Sequence, residues 1–263
     1  MTAVRENPAV ALPAPAALPG IPWHRQVRVE LRKQIDTRAG RWLLALIVLV
    51  DVAFMALMLW TSDAGSLSWS DLTEAATAGQ LLLLPLVGVL AATSEWSQRT
   101  ALTTFVLEPR RTRVHGAKAA AAGLLALAIM VATVAAAALA NLTGGALRDG
   151  AGPWTLDWAL VGGSTLGLLL LVAQGLGFGL ALLSTPAAIV AYLALPTVWT
   201  IVANLVDALR EPAEWLDMSG PVSTLMSGDM AGGDWARLAT STALWVGVPL
   251  AIGLWRTARR DVA

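Results

Sequence analysis

The sequence predicts an all-α, polytopic membrane protein with about six transmembrane helices, and three observations carry that prediction. The first is composition: 56% of the 263 residues are hydrophobic and 14% charged, with a mean hydropathy of +0.64. A soluble domain carries about 25% charged residues, and a chain this apolar would expose large greasy patches to water. The second is a set of apolar stretches of the right length, since about 20 helical residues at a 1.5 Å rise cross the ~30 Å hydrocarbon core. The third is the sorting of charge. Fifteen of the eighteen Lys and Arg residues fall in segments on one side, leaving Arg148, Arg210 and Arg237 opposite. The positive-inside rule makes the basic side cytoplasmic, and an even number of spans returns the C-terminus to the starting side. The expected location is the cell membrane, with both termini cytoplasmic.

The elements follow in order. Residues 1–22 are rich in Ala and Pro, and Pro8, Pro13, Pro15, Pro19 and Pro22 prevent a continuous helix. No unbroken apolar run follows Arg5, so this reads as a disordered tail and not a signal peptide. Over residues 23–40, Trp23, Val27, Leu31 and Ile35 recur every four positions, while Arg25, Arg28, Arg32 and Lys33 take other faces. That is a basic amphipathic helix suited to the headgroup plane.

Residues 41–256 form the transmembrane domain, with spans at about 41–60, 78–94, 119–140, 158–183, 187–206 and 238–255. Trp42 and Trp60 bracket the first span as interfacial aromatics. Pro85 predicts a kink in the second. Residues 61–77 and 141–157 read as polar loops, and the long acidic loop over 207–234 reads as holding a short helix around Trp215 and Met218. Residues 257–263 are a basic cytoplasmic tail.

Polar residues at membrane depth are candidates for a translocation path. Asp51 lies mid-span, where a charge costs roughly 2.5–3.5 kcal/mol on insertion scales. It either lines a path or is hydrogen-bonded between helices. Gln174 and Asn204 are weaker candidates, because amides in spans often serve as glue between helices. The fourth span holds Gly163-x-x-x-Gly167 and Gly175-x-x-x-Gly179, small-residue pairs that let helices approach closely, within the chain or at a dimer seam.

The segment from Glu95 to Lys118 carries the functional signal. Leu102, Phe105 and Val106 fall on one helical face, Pro109 stops that helix, and Arg110, Arg111 and Arg113 hold the turn on the cytoplasmic side. A short helix with an apolar face outside the bilayer is a natural dock for a partner protein. Equally, it is a re-entry loop held at the headgroups by arginines.

This segment resembles the cytoplasmic connection in permease subunits of ABC type-2 transporters. Glu95, Thr100, Thr103, Pro109, Arg111 and Lys118 match that family's pattern in order and approximate spacing. The span layout, the N-terminal amphipathic helix and the long last outer loop match as well. Trp96-Ser97-Gln98-Arg99 stands where the family more often has a glycine-containing stretch. The resemblance implies a short coupling helix that docks a separate ATP-binding subunit, with Leu102, Phe105 and Val106 in the contact and Glu95, Arg99, Thr100, Pro109 and Arg111 orienting it. It also implies pairing with a second copy or a second permease.

The chain has no G-x-x-x-x-G-K-[ST] phosphate loop, so ATP hydrolysis is expected in a partner and no enzymatic activity or cofactor here. It has no cysteine, which removes disulfides and thiolate metal sites, and a formal net charge of zero gives no footprint for nucleic acid. An intramembrane protease would need a nucleophile–base pair or paired aspartates at depth. His24 and His115 both lie outside the spans, and Asp51 is the one acid well inside them. A secondary transporter would show coupling-ion carboxylates and matched halves. A permease-like subunit acting in sensing or self-immunity is a further alternative.

Overall fold

The computed structural model describes residues 21–63, 66–147 and 152–259. The expected tail up to residue 20 and the last four residues of the cytoplasmic tail lie outside that set. The described chain is α-helical, with no strand among the described residues. Six helical stretches are long and apolar enough to cross a membrane, so the chain is a multi-pass membrane protein.

The amphipathic helix α1 (Trp23–Asp36) leads into α2 (Arg38–Thr61), the first span, through Thr37, whose hydroxyl accepts from the Gly40 amide. The second span is longer than 78–94 and is made of two pieces, α3 (Trp69–Leu83) and α4 (Pro85–Ser97). Its start was hidden in the polar stretch that reads as a loop. Ser68 and Asp71 form a reciprocal capping box there, which satisfies the first free amides and lets Asp71 and Glu74 ride on the helix. The break falls at Leu84–Pro85, where proline has no N–H to donate.

A short helix, α5 (Ala101–Leu107), precedes the long third span α6 (Arg111–Leu147). The fourth and fifth spans are α7 (Trp158–Leu182) and α8 (Thr185–Leu205). The acidic loop holds two short helices, α9 (Arg210–Leu216) and α10 (Ser219–Ser227). The sixth span joins α11 (Asp234–Thr242) to α12 (Val248–Arg259) through a π-helical stretch, Ala243–Gly247. That widened turn lies next to Pro249, which cannot complete a regular helical ladder.

Helix α7 is the hub: α4, α12, α10, α8 and α6 all pack against it. Its small residues allow this. A Cβ on Gly175 would stand 2.1 Å from the Pro85 carbonyl oxygen, and one on Gly88 of α4 would stand 2.1 Å from that of Val172. The two backbones therefore touch on both sides of the α4–α7 crossing. Gly179 abuts Ala92, and Gly163 and Gly167 abut Leu225 and Met226 of α10. All four glycines of the two predicted pairs thus pack against elements of the same chain.

Both described ends of the chain lie at one end of the bundle. The Arg111 guanidinium donates to the Thr257 carbonyl there, and that of Arg256 donates to Ala181. This basic end carries α1, α5 and the C-terminus of α12. At the opposite end the loops are tied by Trp69 and Ser70 amides donating to Pro153 and Thr155, and by the edge-on contact of Trp69 with Trp154.

Candidate functional site at the basic end

Four ionisable side chains from three separate elements meet behind α5. Glu30 and Lys33 come from α1, Glu95 from the last turn of α4 and Lys118 from the first turns of α6. Lys33 Nζ lies 2.6 Å from Glu30 Oε1 and 2.7 Å from Glu95 Oε1, and Lys118 Nζ lies 3.0 Å from Glu30 Oε2 and 3.3 Å from Glu95 Oε1. The charges alternate around a closed box, and each cation touches both anions.

Lys118 is 1% exposed, and it also donates to the Ala91 carbonyl at 3.1 Å. A lysine is almost never buried so fully unless it is paired. Burial pulls the Lys33 ammonium down, but the Glu30 and Glu95 carboxylates outweigh it and hold it above its ordinary value of 10.5. A raised value means that its stabilising contribution is complete below the unfolded value and is lost only as pH rises through the folded one. Lys33 is therefore charged throughout the neutral range.

The box fixes α5. The Thr104 hydroxyl donates to Glu95 Oε1 at 2.9 Å, so one carboxylate holds both lysines and the middle of the short helix. At the other end of α5, Glu108 accepts from Gln26 of α1 at 2.6 Å and from Arg113 of α6 at 3.3 Å.

The turn into α5 is a backbone lock. The Thr100 amide donates to Glu95 O and the Arg99 amide to Trp96 O, with Arg99 left-handed at φ 57°. This is the helix-ending arrangement in which glycine is the usual residue. Arg99 stands there instead, within the stretch where the resemblance leads one to expect glycine, and the cost of a side chain in that conformation is about 1–2 kcal/mol.

Which face α5 presents differs from the expectation. Ala101 and Phe105 point inward, and the Phe105 ring packs on Trp96, Val114 and His115 with the Arg111 guanidinium 5.0 Å over its face. Leu102, Val106 and Leu107 are 50%, 70% and 66% exposed. On a seven-residue helix, 102, 105 and 106 form one cluster by spacing, but the buried line runs through 101 and 105. Phe105 is thus a foundation of α5 and not part of its exposed surface. Thr100, Arg99 and Pro109 are exposed, and Arg111 is half-buried between Phe105 and Thr257.

The membrane-depth candidates do not converge. Asp51 is buried, and its Oδ2 accepts from Gln80 Nε2 at 2.6 Å and from Thr133 Oγ1 at 3.0 Å; Gln80 also donates to Thr133 at 2.6 Å. This triad pins the first, second and third spans together. Replacing Gln80 with leucine removes the strongest donor to a buried carboxyl. The expected result is a loss of about 1–3 kcal/mol, read as a lower midpoint for thermal aggregation in detergent, whereas an unchanged midpoint would show the triad to be dispensable.

Gln174 is buried and lines a cavity of about 460 Å³ together with Glu74, Ser164, Tyr192 and Ser223, between α3, α7, α8 and α10. Asn204 is exposed at the end of α8 and donates to Thr200 O of its own helix at 2.8 Å. Among the residues that sequence reasoning missed are Glu30, Thr104 and Glu108 at the basic end and Gln80 and Thr133 around Asp51.

Family models, curated proteins and solved structures give no match to this chain.

Proposed function

We propose that the chain is the permease subunit of an ABC-type exporter in the cell membrane, with its basic end in the cytoplasm and with ATP hydrolysis supplied by a separate subunit that docks on α5. The observation that carries this reading is the exposed apolar face of α5 backed by the buried ion box. A loop that merely re-enters the membrane has no use for such a foundation. A helix that must receive force from a partner needs one, since a push on α5 passes through Thr104 and Glu95 to α1, α4 and α6 at once. The missing phosphate loop and the order of Glu95, Thr100, Pro109, Arg111 and Lys118 fit the same reading. In it, two such chains, or one and a second permease, enclose the path. Asp51 serves as an internal strut, while the cavity lined by Gln174 is the better candidate for contact with cargo.

Val106→Asp combined with Leu102→Asp places two carboxylates on the exposed face and leaves the inward line of Ala101 and Phe105 untouched. The double variant is expected to insert and fold normally but to lose the ATPase subunit on purification and to lose transport. Retention of both at wild-type levels would remove α5 as the dock. Phe105→Asp, by contrast, is expected to lower the amount of folded protein.

A further inference from the structure

The cavity between α3, α7, α8 and α10 has about 460 Å³ of space, within the range of roughly 300–1,000 Å³ that small-molecule sites occupy. Leu81, Leu82, Leu171, Val222 and Met226 give it apolar walls. Gln174 is 2% exposed as a residue, and its carboxamide has no hydrogen-bond partner among the described residues, yet neither its Nε2 nor its Oε1 is sealed from the cavity. An amide left unpaired in a buried place is costly, so a ligand that pairs with it is favoured. Glu74 is the charged side chain of the lining, which contains no lysine, arginine or histidine among the described residues. Its carboxylate is exposed and has no hydrogen-bond or ion-pair partner among the described residues. Helices α3 and α7 both start at the end of the bundle opposite α5. Glu74, in the second turn of α3, therefore marks the mouth of the cavity, and Gln174, past the middle of α7, lies deeper.

The hydroxyls of the lining sharpen this polarity. Those of Thr77, Ser164, Tyr192, Thr197 and Ser227 each donate to a backbone carbonyl, and that of Ser219 donates to the Asp217 carboxylate. A hydroxyl has one proton to give, so toward a ligand these six act as acceptors. The side-chain donors left over are the Gln174 amide and the Ser223 hydroxyl. The lining is thus rich in acceptors, poor in donors and negative in sign. A carboxylate or phosphate placed here would meet Glu74 with no cation to offset it. The complementary ligand has a positive charge, N–H groups to donate and an apolar body.

We propose that this cavity binds apolar molecules that carry a protonated amine. The ammonium donates to the Glu74 carboxylate at the mouth, the apolar body lies along Leu81, Leu82 and Leu171, and Gln174 pairs with a polar group at the inner end. That such a molecule is the exported cargo rests on the permease reading, whereas its binding to the chain needs no ATPase partner.

The test uses the full chain in phosphatidylcholine nanodiscs, with empty nanodiscs subtracted, and a fluorescent series built on one apolar body: 1-pyrenemethylamine, 1-pyrenemethanol and 1-pyrenecarboxylate. The amine, protonated at neutral pH, is expected to bind saturably and about tenfold more tightly than the alcohol, the size of one charge-assisted hydrogen bond, and the carboxylate is expected not to bind. Glu74→Gln alters an exposed, unpaired side chain, so the variant folds as wild type does. It is expected to bring the amine down to the affinity of the alcohol and to leave the alcohol unchanged. The trimethylammonium analogue of the amine keeps the charge without an N–H and is expected to bind several-fold more weakly than the amine. Equal affinities of wild type for the amine and the alcohol would overturn the proposal. So would a Glu74→Gln variant that keeps the preference for the amine, or a trimethylammonium analogue that binds as tightly as the amine. The assay contains no ATPase, so a failure here leaves the dock on α5 standing, and a chain that binds the amine but has no ATPase partner would remove the permease reading and keep this site.

Discussion

Lys118→Met is expected to leave little folded protein. Removing the ammonium leaves the Glu30 and Glu95 carboxylates in a buried site with Lys33 as their one remaining ion-pair partner among the described residues, and breaking a buried pair from one side costs about 3–5 kcal/mol. A domain has only about 5–15 kcal/mol in hand. Lys33→Met is expected to cost less, because the Lys33 side chain is 35% exposed and water compensates part of its loss. The double variant Lys118→Met with Glu95→Gln removes one charge of each sign. It is expected to recover part of the loss, although the Thr104 contact then rests on an uncharged partner. The cycle of single and double variants, read as the fraction of monodisperse protein surviving a heat challenge, measures the coupling. Additive losses would mean that Lys118 and Glu95 do not act as a pair.

The second large effect falls on the α7 crossings. Gly163→Ala places a methyl 1.7 Å from the Leu225 carbonyl oxygen, and Gly175→Ala places one 2.1 Å from that of Pro85. Neither neighbour is a flexible side-chain tip, so the backbones must separate, at a cost of about 1–3 kcal/mol or more for each. The adjacent Gly162 is exposed and has nothing within 4 Å of its would-be Cβ. Gly162→Ala is expected to be neutral or mildly stabilising, because alanine is favoured over glycine in a helix by about 1 kcal/mol. The contrast between neighbours 162 and 163 separates the steric effect from any general response of α7 to mutation, and equal effects at the two positions would contradict the crossing geometry.

The fold was largely legible because apolar length is a strong signal. Where the reading fell short, the causes are specific. The second span seemed short because Asp71 and Glu74 look like loop residues, yet Ser68-x-x-Asp71 is a visible capping signal at its true start. Glu95 and Lys118 stood out through their positions around the short helix. Glu30 did not, since on an amphipathic helix a carboxylate looks like solvent-facing polarity and burial by pairing leaves no periodic trace. Phe105 was misassigned because a seven-residue helix is too short for periodicity to say which of its lines faces inward. Asp51 left two readings open in sequence. Gln80 and Thr133 decide its hydrogen bonding, and only the register between three separate helices brings them together.

The central claim is that α5 is a rigid dock for a separate ATP-hydrolysing subunit. The most direct measurement is co-purification of the tagged chain from its native host, with the ATPase activity of the isolated complex recorded for wild type and for Leu102→Asp with Val106→Asp. The account predicts a nucleotide-hydrolysing partner bound to the wild-type chain and absent from the double variant, with equal amounts of correctly inserted chain in both. A wild-type chain that comes out without any nucleotide-hydrolysing partner, or a double variant that keeps one at full activity, would contradict it.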